Sequence, residues 1–212
     1  MKPCQCHEPH ALKRVVLTGG PGAGKTAVLD LIRHAFCPHV AILPEAAGII
    51  FGGGFPRLND DASRRAAQRA IFRVQVELET IADVERDAVI LCDRGTVDGG
   101  AYWPGPGELF PEVGTTLTEQ LRRYDTVIHL RVPPPRDYTN GNPLRLESAI
   151  QAQQIDEAIL AIWAGHPRRF ILEPQQDFLA KAASALALLR EEVPICCRPP
   201  AAMLQAWPTP TA

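Results

Sequence analysis

Short apolar runs recur along the 212-residue chain, separated by longer segments in which apolar and polar positions follow a helical period. The runs are rich in Val, Ile and Leu, which predicts strands buried on both faces, as in a parallel sheet. Five runs have this character, at residues 14–18, 39–43, 88–92, 126–130 and 170–172.

The segments between the runs predict helices at residues 25–36, 147–165 and 175–190, and a longer one that Asn59 or Asp60 can cap and that ends near Arg86. Polar residues that could line a pocket lie along one edge of this long helix: Arg64, Gln68 and Gln75. Its apolar positions follow steps of four and three, which indicates one buried face, and they are Ala67, Ile71, Val74, Leu78 and Ile81.

Strands that alternate with helices predict a three-layer α/β fold, with a five-stranded parallel sheet between helices on both faces. We expect one domain over residues 13–192, a flexible leader at 1–12 and a loose Pro-rich tail at 193–212. Residues 99–114 are rich in Gly and Pro and predict an irregular insertion. The prolines at 133–135 block regular structure, so that 132–146 predicts a polar lid.

Composition excludes several classes of protein. The formal net charge is −2, which gives no basic field for nucleic acid. No apolar run reaches the roughly 20 residues that a membrane span requires, and the first ten residues lack an apolar signal core. A cytoplasmic protein is therefore expected.

The six cysteines fall into three groups. Cys37 and Cys92 lie in or beside apolar segments, where a thiol packs as a small hydrophobic group, and Cys196 and Cys197 are adjacent in the tail. The third group lies near the N-terminus with two histidines and resembles a set of soft-metal ligands: Cys4, Cys6, His7 and His10. Its spacing matches no zinc pattern, so an untethered leader or a purification leader is the favoured interpretation.

The first predicted strand runs directly into a phosphate-binding loop (P-loop), which opens the first predicted helix. Its glycines let successive N–H groups converge on phosphate oxygens, at the positive end of the helix. We expect Lys25 to reach the β- and γ-phosphates of ATP, with GTP as the alternative, and Thr26 to bind Mg²⁺. The loop reads Gly19-Gly20-Pro21-Gly22-Ala23-Gly24-Lys25-Thr26.

Charged residues follow the second and third predicted strands. Asp93 is expected to hold Mg²⁺ directly or through water, or else to cap a helix. Arg94 can bind phosphate bidentately, unless it forms a surface ion pair. Glu45 could act as a general base, bind a ribose, hold Mg²⁺ through water or simply open a helix.

Arginines in the lid could close over the phosphates and neutralise transition-state charge, the alternative being a solvated loop. Arg145 and Arg136 are the candidates, and Arg64, Gln68 and Gln75 could line an acceptor pocket together with Glu45 and Arg94. Core or surface roles are expected for the remaining polar and aromatic candidates: Tyr102, Trp103, His129 and Lys181.

Several segments taken together are more specific than the P-loop: Pro44-Glu45-Ala46, Cys92-Asp93-Arg94-Gly95 with Asp98 and Ala101-Tyr102, Asn142-Pro143-Leu144-Arg145 with Glu147, and Trp163 with His166-Pro167. Over residues 14–189 they resemble a family of small P-loop ATPases that is labelled an AAA domain. That family includes the TRPL translocation defect protein and is similar to the ribosylnicotinamide kinase domain of the NAD regulator.

The resemblance implies a nucleotide-kinase-like P-loop NTPase fold with the P-loop strand at the centre. Deoxynucleoside kinases place a glutamate after the second strand and an acid–arginine pair after the third, where this chain has Glu45 and Asp93-Arg94. Their acid in that pair is normally glutamate, and no base-recognition pocket carries over. No pattern of a ring-forming AAA+ motor is found.

Two functions of different kinds follow. The first is a small-molecule kinase that moves the γ-phosphate of ATP to a nucleoside-like acceptor. The second is a protein that binds ATP or GTP, hydrolyses it slowly, and changes its affinity for a protein or lipid partner; a simple hydrolase is a variant of it.

Overall fold

The computed structural model describes residues 10–84, 88–134, 148–174 and 178–198. Five parallel strands form one sheet in the order β2-β3-β1-β4-β5. Their bounds lie within one residue of the predicted runs: Lys13–Thr18 (β1), Val40–Leu43 (β2), Val89–Asp93 (β3), Thr126–Leu130 (β4) and Arg169–Leu172 (β5).

Successive side chains of the central strands enter two different cores, as the period of two requires. Val15 and Leu17 of β1 pack in the first core, whereas Val16 between them packs in the second. Helix α1 (Lys25–Ala35) and helix α8 (Phe178–Glu192) cover the first face. The predicted three-layer α/β fold is thereby confirmed.

Helix α3 (Asp61–Val84) and helix α7 (Ala149–Ile162) contribute to the core on the second face. Ser148 begins α7 with a capping box: its hydroxyl accepts from the Gln151 N–H and the Gln151 side chain accepts from the Ser148 N–H. Such caps satisfy N–H groups that a helix start would otherwise leave unpaired.

The predicted face of α3 is only partly right. Ile81 is 63% exposed, whereas the polar Gln75 and Glu79 are buried. The Gln75 amide donates to Glu79 (2.9 Å), and the Tyr124 hydroxyl donates to the same carboxyl group (2.7 Å). Because a buried polar group is tolerated when it is hydrogen-bonded, this network turns the helix away from its most apolar stripe.

Short helices occupy segments for which the sequence predicts none. Helix α2 (Ala46–Gly52) follows β2, and the insertion expected to be irregular contains α4 (Asp98–Ala101) and α5 (Leu109–Glu112); α6 (Leu117–Leu121) follows. Leu109 and Phe110 are buried against α3, so apolar contacts stabilise turns too short to be recognised by periodicity.

The first residues of the expected tail are also packed. A 3-10 turn covers Ile195–Cys197, and Cys197 is buried. Within the described ranges, every helix falls short of the length and apolar character of a membrane span.

Candidate active site

The P-loop joins β1 to α1 at the carboxyl edge of the sheet. Gly19 (φ 134°) and Gly24 (φ 92°) take left-handed conformations, which glycine adopts without strain. The Lys25 ammonium donates to the carbonyl oxygens of Gly19 (2.8 Å) and Gly20 (3.1 Å). Burial, together with the nearby Arg94, lowers the pKa of Lys25 to about 8. The loop therefore wraps around its own lysine.

Arg94 and Glu45 form an ion pair beside this loop. The Arg94 Nε donates to Glu45 Oε1 at 2.6 Å, and the guanidinium lies over the Tyr102 ring, 5.5 Å from its centroid. Although burial opposes ionisation, Arg94 and Lys25 hold the Glu45 pKa below its ordinary value. Glu45 is therefore a carboxylate at neutral pH.

Arg94 has an unusual backbone. Among the described residues other than glycine, Arg94 alone has a positive φ, of 70°. Such a conformation costs free energy and is concentrated at functional sites. Its N–H donates to Leu17 O (3.1 Å), which fixes the turn after β3 to the end of β1.

Asp93 ends β3, paired in register with Leu17 just before the P-loop. Its Oδ1 is buried and has no hydrogen-bond partner among the described residues. Burial raises its pKa to about 6, in spite of the opposing effect of Lys25. An orphaned carboxylate oxygen fits a hard cation such as Mg²⁺, and Asp93 and Thr26 both line the same cavity.

Asp98 and Asp156 are buried acids whose contacts sequence reasoning did not foresee. Asp98 accepts from the Thr18 hydroxyl and from the Gly95 N–H (2.8 Å). Its Oδ1 lies 3.6 Å from Arg94 Nη1, a buried atom without a hydrogen-bond partner in the described part of the chain. Asp98 thus links the end of β1 to the turn that carries Arg94.

Asp156, on α7, ties the other side of the P-loop. It accepts from the Gly20 N–H (2.8 Å) and the Val132 N–H (3.3 Å), and its Oδ1 lies 2.9 Å from His129 Nε2. The pKa of Asp156 is lowered because these hydrogen bonds outweigh its burial. His129 is fully buried, as expected of a core histidine.

Lys181 is not the solvated charge that its helical context predicts. It is buried, and its ammonium donates to Ala23 O (3.0 Å) and Arg131 O (2.6 Å). Burial lowers its pKa to about 8. The prediction failed because a lone lysine in an amphipathic helix gives no sign of carbonyl acceptors from distant loops. Lys181 joins α8 to the P-loop.

A cavity of about 1030 Å³ opens from the P-loop toward α2 and α3. Lys25, Glu45 and Arg94 line one end, and the predicted pocket residues Arg64, Gln68 and Gln75 line the walls, although the Gln75 amide is engaged by Glu79. Residues that sequence reasoning missed also line it, and they are Phe51, Phe55, Arg57, Gln151 and Gln154. The aromatic pair around the 52–54 glycines was the available signal.

Arg136 and Arg145 lie outside the described residues, as do Tyr138, Asn140 and Asn142. Tyr102 and Trp103 pack against the cores, as the sequence favours.

A central P-loop strand, followed by a glycine loop and flanked by parallel strands on both sides, defines a P-loop fold of the nucleotide-kinase type. A family model described as an AAA domain matches residues 14–181. The chain therefore belongs to that AAA-domain family, and the resemblance noted from its motifs is confirmed.

Solved structures share the fold at low sequence identity. The NadR protein in complex with NR has a TM-score of 0.65 at 16% identity over 85% of this chain. The thymidylate kinase of Candida albicans has a TM-score of 0.59 at 14% identity, over 84% of this chain and 91% of its own. The present chain spans about half, 51%, of the NadR chain. No curated protein matches significantly.

Proposed function

We propose that the protein is a kinase that transfers the γ-phosphoryl group of ATP to a hydroxyl group of a nucleoside-like small molecule. The observation that carries the proposal is the meeting of Glu45, Arg94 and Lys25 at one end of a cavity of about 1030 Å³. A pocket at the upper end of the usual ligand range has room for an acceptor beside a nucleotide.

On the donor side, the N–H groups of residues 22–26 and the Lys25 ammonium would hold the triphosphate. Phosphate oxygens would replace the Gly19 and Gly20 carbonyls as partners of Lys25. Thr26 and Asp93 would hold Mg²⁺, which neutralises charge on the β- and γ-oxygens when it is bound.

On the acceptor side, Glu45 would take the proton of the acceptor hydroxyl as its oxygen bonds to the γ-phosphorus and ADP leaves. The low pKa keeps the Glu45 carboxylate ionised for that role. Arg94 lines the same cavity as Lys25, and its guanidinium would bind a phosphoryl oxygen there.

A nucleoside-like acceptor is supported by the cavity walls. Phe51 and Phe55 offer aromatic surface, and Arg64 and Gln68 offer hydrogen-bond donors, a combination suited to a planar base and polar sugar. Two proteins of the same fold, a thymidylate kinase and NadR bound to NR, are consistent with this class.

The test is ADP formation from ATP and Mg²⁺ with a panel of nucleosides, nucleotides and vitamins, and detection of the phosphorylated acceptor by ³¹P NMR. We expect at least one acceptor to raise ADP formation by two orders of magnitude or more over water. Triphosphate binding with only slow, acceptor-independent hydrolysis across the panel would instead favour the nucleotide-controlled binding protein. Parallel reactions with GTP decide the nucleotide preference.

A further inference from the structure

Five sulfur and imidazole side chains gather at the amino edge of the sheet, opposite the P-loop. We name this group the thiol–imidazole cluster; it comprises His10, Cys37, His39, Cys196 and Cys197. His10 precedes β1, Cys37 and His39 lie between α1 and β2, and the cysteine pair ends the described chain. Three segments far apart in sequence therefore meet at one point.

The distances within the cluster suit a metal ion. The ligand atoms of Cys37, His39 and Cys197 all lie within 4.8 Å of one another, and so do those of His10, Cys196 and Cys197. His39 Nδ1 lies 3.2 Å from Cys197 Sγ, Cys196 Sγ lies 3.3 Å from His10 Nε2, and the two vicinal sulfurs are 3.9 Å apart.

A tetrahedral zinc ion imposes similar separations. With Zn–S of about 2.3 Å and Zn–N of about 2.0–2.1 Å, the ligand atoms stand roughly 3.5 Å (S to N) and roughly 3.8 Å (S to S) apart. The three measured distances fall within about 0.4 Å of those edges. Cys197 Sγ belongs to both triads, so an ion bound by Cys37, His39 and Cys197 would draw its fourth ligand from the second triad by rotation of that side chain.

The backbone around the cluster is fixed by hydrogen bonds. The His39 carbonyl accepts from the N–H groups of Ala88 (2.9 Å) and Val89 (3.1 Å), and the Cys37 carbonyl accepts from Val40 (3.1 Å). The Cys197 N–H donates to Pro194 O (2.9 Å). The sheet and the 3-10 turn thus fix the main chain at Cys37, His39 and Cys197, which favours a preorganised site.

We propose that the thiol–imidazole cluster is a structural zinc site, in which Cys37, His39 and Cys197 bind Zn²⁺ and either Cys196 or His10 supplies the fourth ligand. Thiolate and imidazole prefer zinc to magnesium, which takes oxygen ligands. The site is therefore chemically separate from the one formed by Thr26 and Asp93, and the proposal does not depend on kinase activity.

The expected consequence is structural. An ion bound by both His39 and Cys197 would join residues that are 158 positions apart in the chain. It would therefore close a loop of more than 150 residues. Because a metal that binds only the folded chain stabilises it, zinc would raise the Tm.

The test uses the untagged, full-length protein, stripped of metal by a chelator under reducing conditions and then titrated with ZnCl₂ or CoCl₂. We expect one equivalent of zinc per chain by elemental analysis, a Tm several degrees higher than that of the stripped protein, and a cobalt spectrum with thiolate charge-transfer and tetrahedral ligand-field bands.

Variants assign the ligands. Cys197→Ser and His39→Gln should weaken zinc binding on the order of 100-fold, with circular dichroism of the stripped variants to verify the fold. Cys92→Ala, a thiol buried in β3, and His34→Gln, an exposed histidine on α1, are the matched controls and should bind zinc normally. Cys196→Ser and His10→Gln identify the fourth ligand by which of them weakens binding.

The proposal is overturned if the stripped, reduced protein takes up less than a tenth of an equivalent of zinc, or if Cys197→Ser and Cys92→Ala bind it equally. It is also overturned if mass spectrometry finds a stable disulfide among these cysteines and reduction does not restore zinc uptake.

Discussion

The Nε of Arg94 donates a 2.6 Å hydrogen bond to Oε1 of Glu45, and so joins the turn after β3 to the start of α2. The pair keeps the carboxylate ionised, and both residues line the cavity that opens from the P-loop. The proposed base and the proposed phosphate ligand thus support each other's charge state.

The Glu45→Gln variant tests the proposed base. The amide is nearly isosteric but cannot accept the proton, so we expect kcat to fall by about 10²- to 10⁴-fold while ATP affinity changes little. Steady-state kinetics with the best acceptor and calorimetry with ATP measure the two effects. Glu77→Gln, on the exposed side of α3, is the control. An unchanged kcat would remove Glu45 from the chemistry.

The Lys25→Ala variant tests the donor site. Loss of a charge-assisted contact worth about 1.5–3 kcal/mol should weaken triphosphate binding by about 10- to 150-fold. Lys13→Ala, which removes a lysine paired with Glu192 at the far edge of the sheet, should bind normally. Calorimetry with a non-hydrolysable ATP analogue compares them, and equal affinities would contradict the P-loop interpretation.

The raised pKa of Asp93 predicts that the free energy of unfolding depends on pH. Its folded pKa of about 6 lies above the ordinary value of 3.8, so the native state binds the extra proton. The contribution of this group to stability is present below pH 4 and is lost as the pH rises through 6. Relative to wild type, Asp93→Asn should gain about 2 kcal/mol between pH 4 and pH 7 without Mg²⁺.

Urea unfolding of both proteins across that pH range measures the gain. A pH-independent difference would mean that the Asp93 carboxyl group titrates alike in the folded and unfolded chains. The same carboxyl proton competes with Mg²⁺, so metal-dependent nucleotide binding should weaken below pH 6.

The Asp156→Ala variant tests the anchoring of the P-loop. It leaves the buried N–H groups of Gly20 and Val132 without their acceptor, which should lower the free energy of unfolding by about 2–4 kcal/mol at pH 7. The lowered pKa of Asp156 places the loss of this contribution below pH 4. Glu157→Ala, the exposed neighbour paired with Arg131, should cost less than about 1 kcal/mol.

Chemical denaturation gives both values, and nucleotide affinity gives a second readout. If the role of Asp156 is only structural, the Asp156→Ala substitution should lower stability and leave ATP binding unchanged. If Asp156 positions the loop, the variant should also bind ATP more weakly under conditions in which it is fully folded.

The Phe51→Ala variant tests the acceptor pocket. Removing an aromatic wall should raise the acceptor KM by about 10-fold, from loss of roughly 1–2 kcal/mol of apolar contact, with the ATP KM unchanged. Ile49→Ala, on the same helix but 43% exposed and outside the cavity, is the control. A rise in the ATP KM instead would assign this surface to the nucleotide.

The strands and the P-loop were predictable because their signals are local. Val15 to Leu17 form an apolar run, and the following glycines and lysine are contiguous in sequence. The proximity of Glu45, Asp93 and Arg94 was predictable for a related reason: each follows or ends a recognisable strand, and parallel strands end at one edge of the sheet.

The contacts that hold these residues in place were not predictable, because they join positions far apart in the chain. Gly20 and Asp156 are 136 residues apart, and Lys181 meets Ala23 across 158. The buried face of α3 was predicted only in part for the same reason, since the buried Glu79 is hydrogen-bonded by Tyr124 and Arg123 from a distant segment. Pairwise chemistry of this kind leaves no periodic trace in sequence.

The tie between Gly20 and Asp156 also limits how the loop could be redesigned. A Cβ at position 20 would lie 2.6 Å from Val132 Cγ2 and 2.8 Å from Asp156 Cβ. A larger residue at position 20 would require a smaller side chain at position 132 and a replacement for Asp156 on α7. Position 20 can therefore be exchanged only together with the segment after β4 and the helix that enclose it.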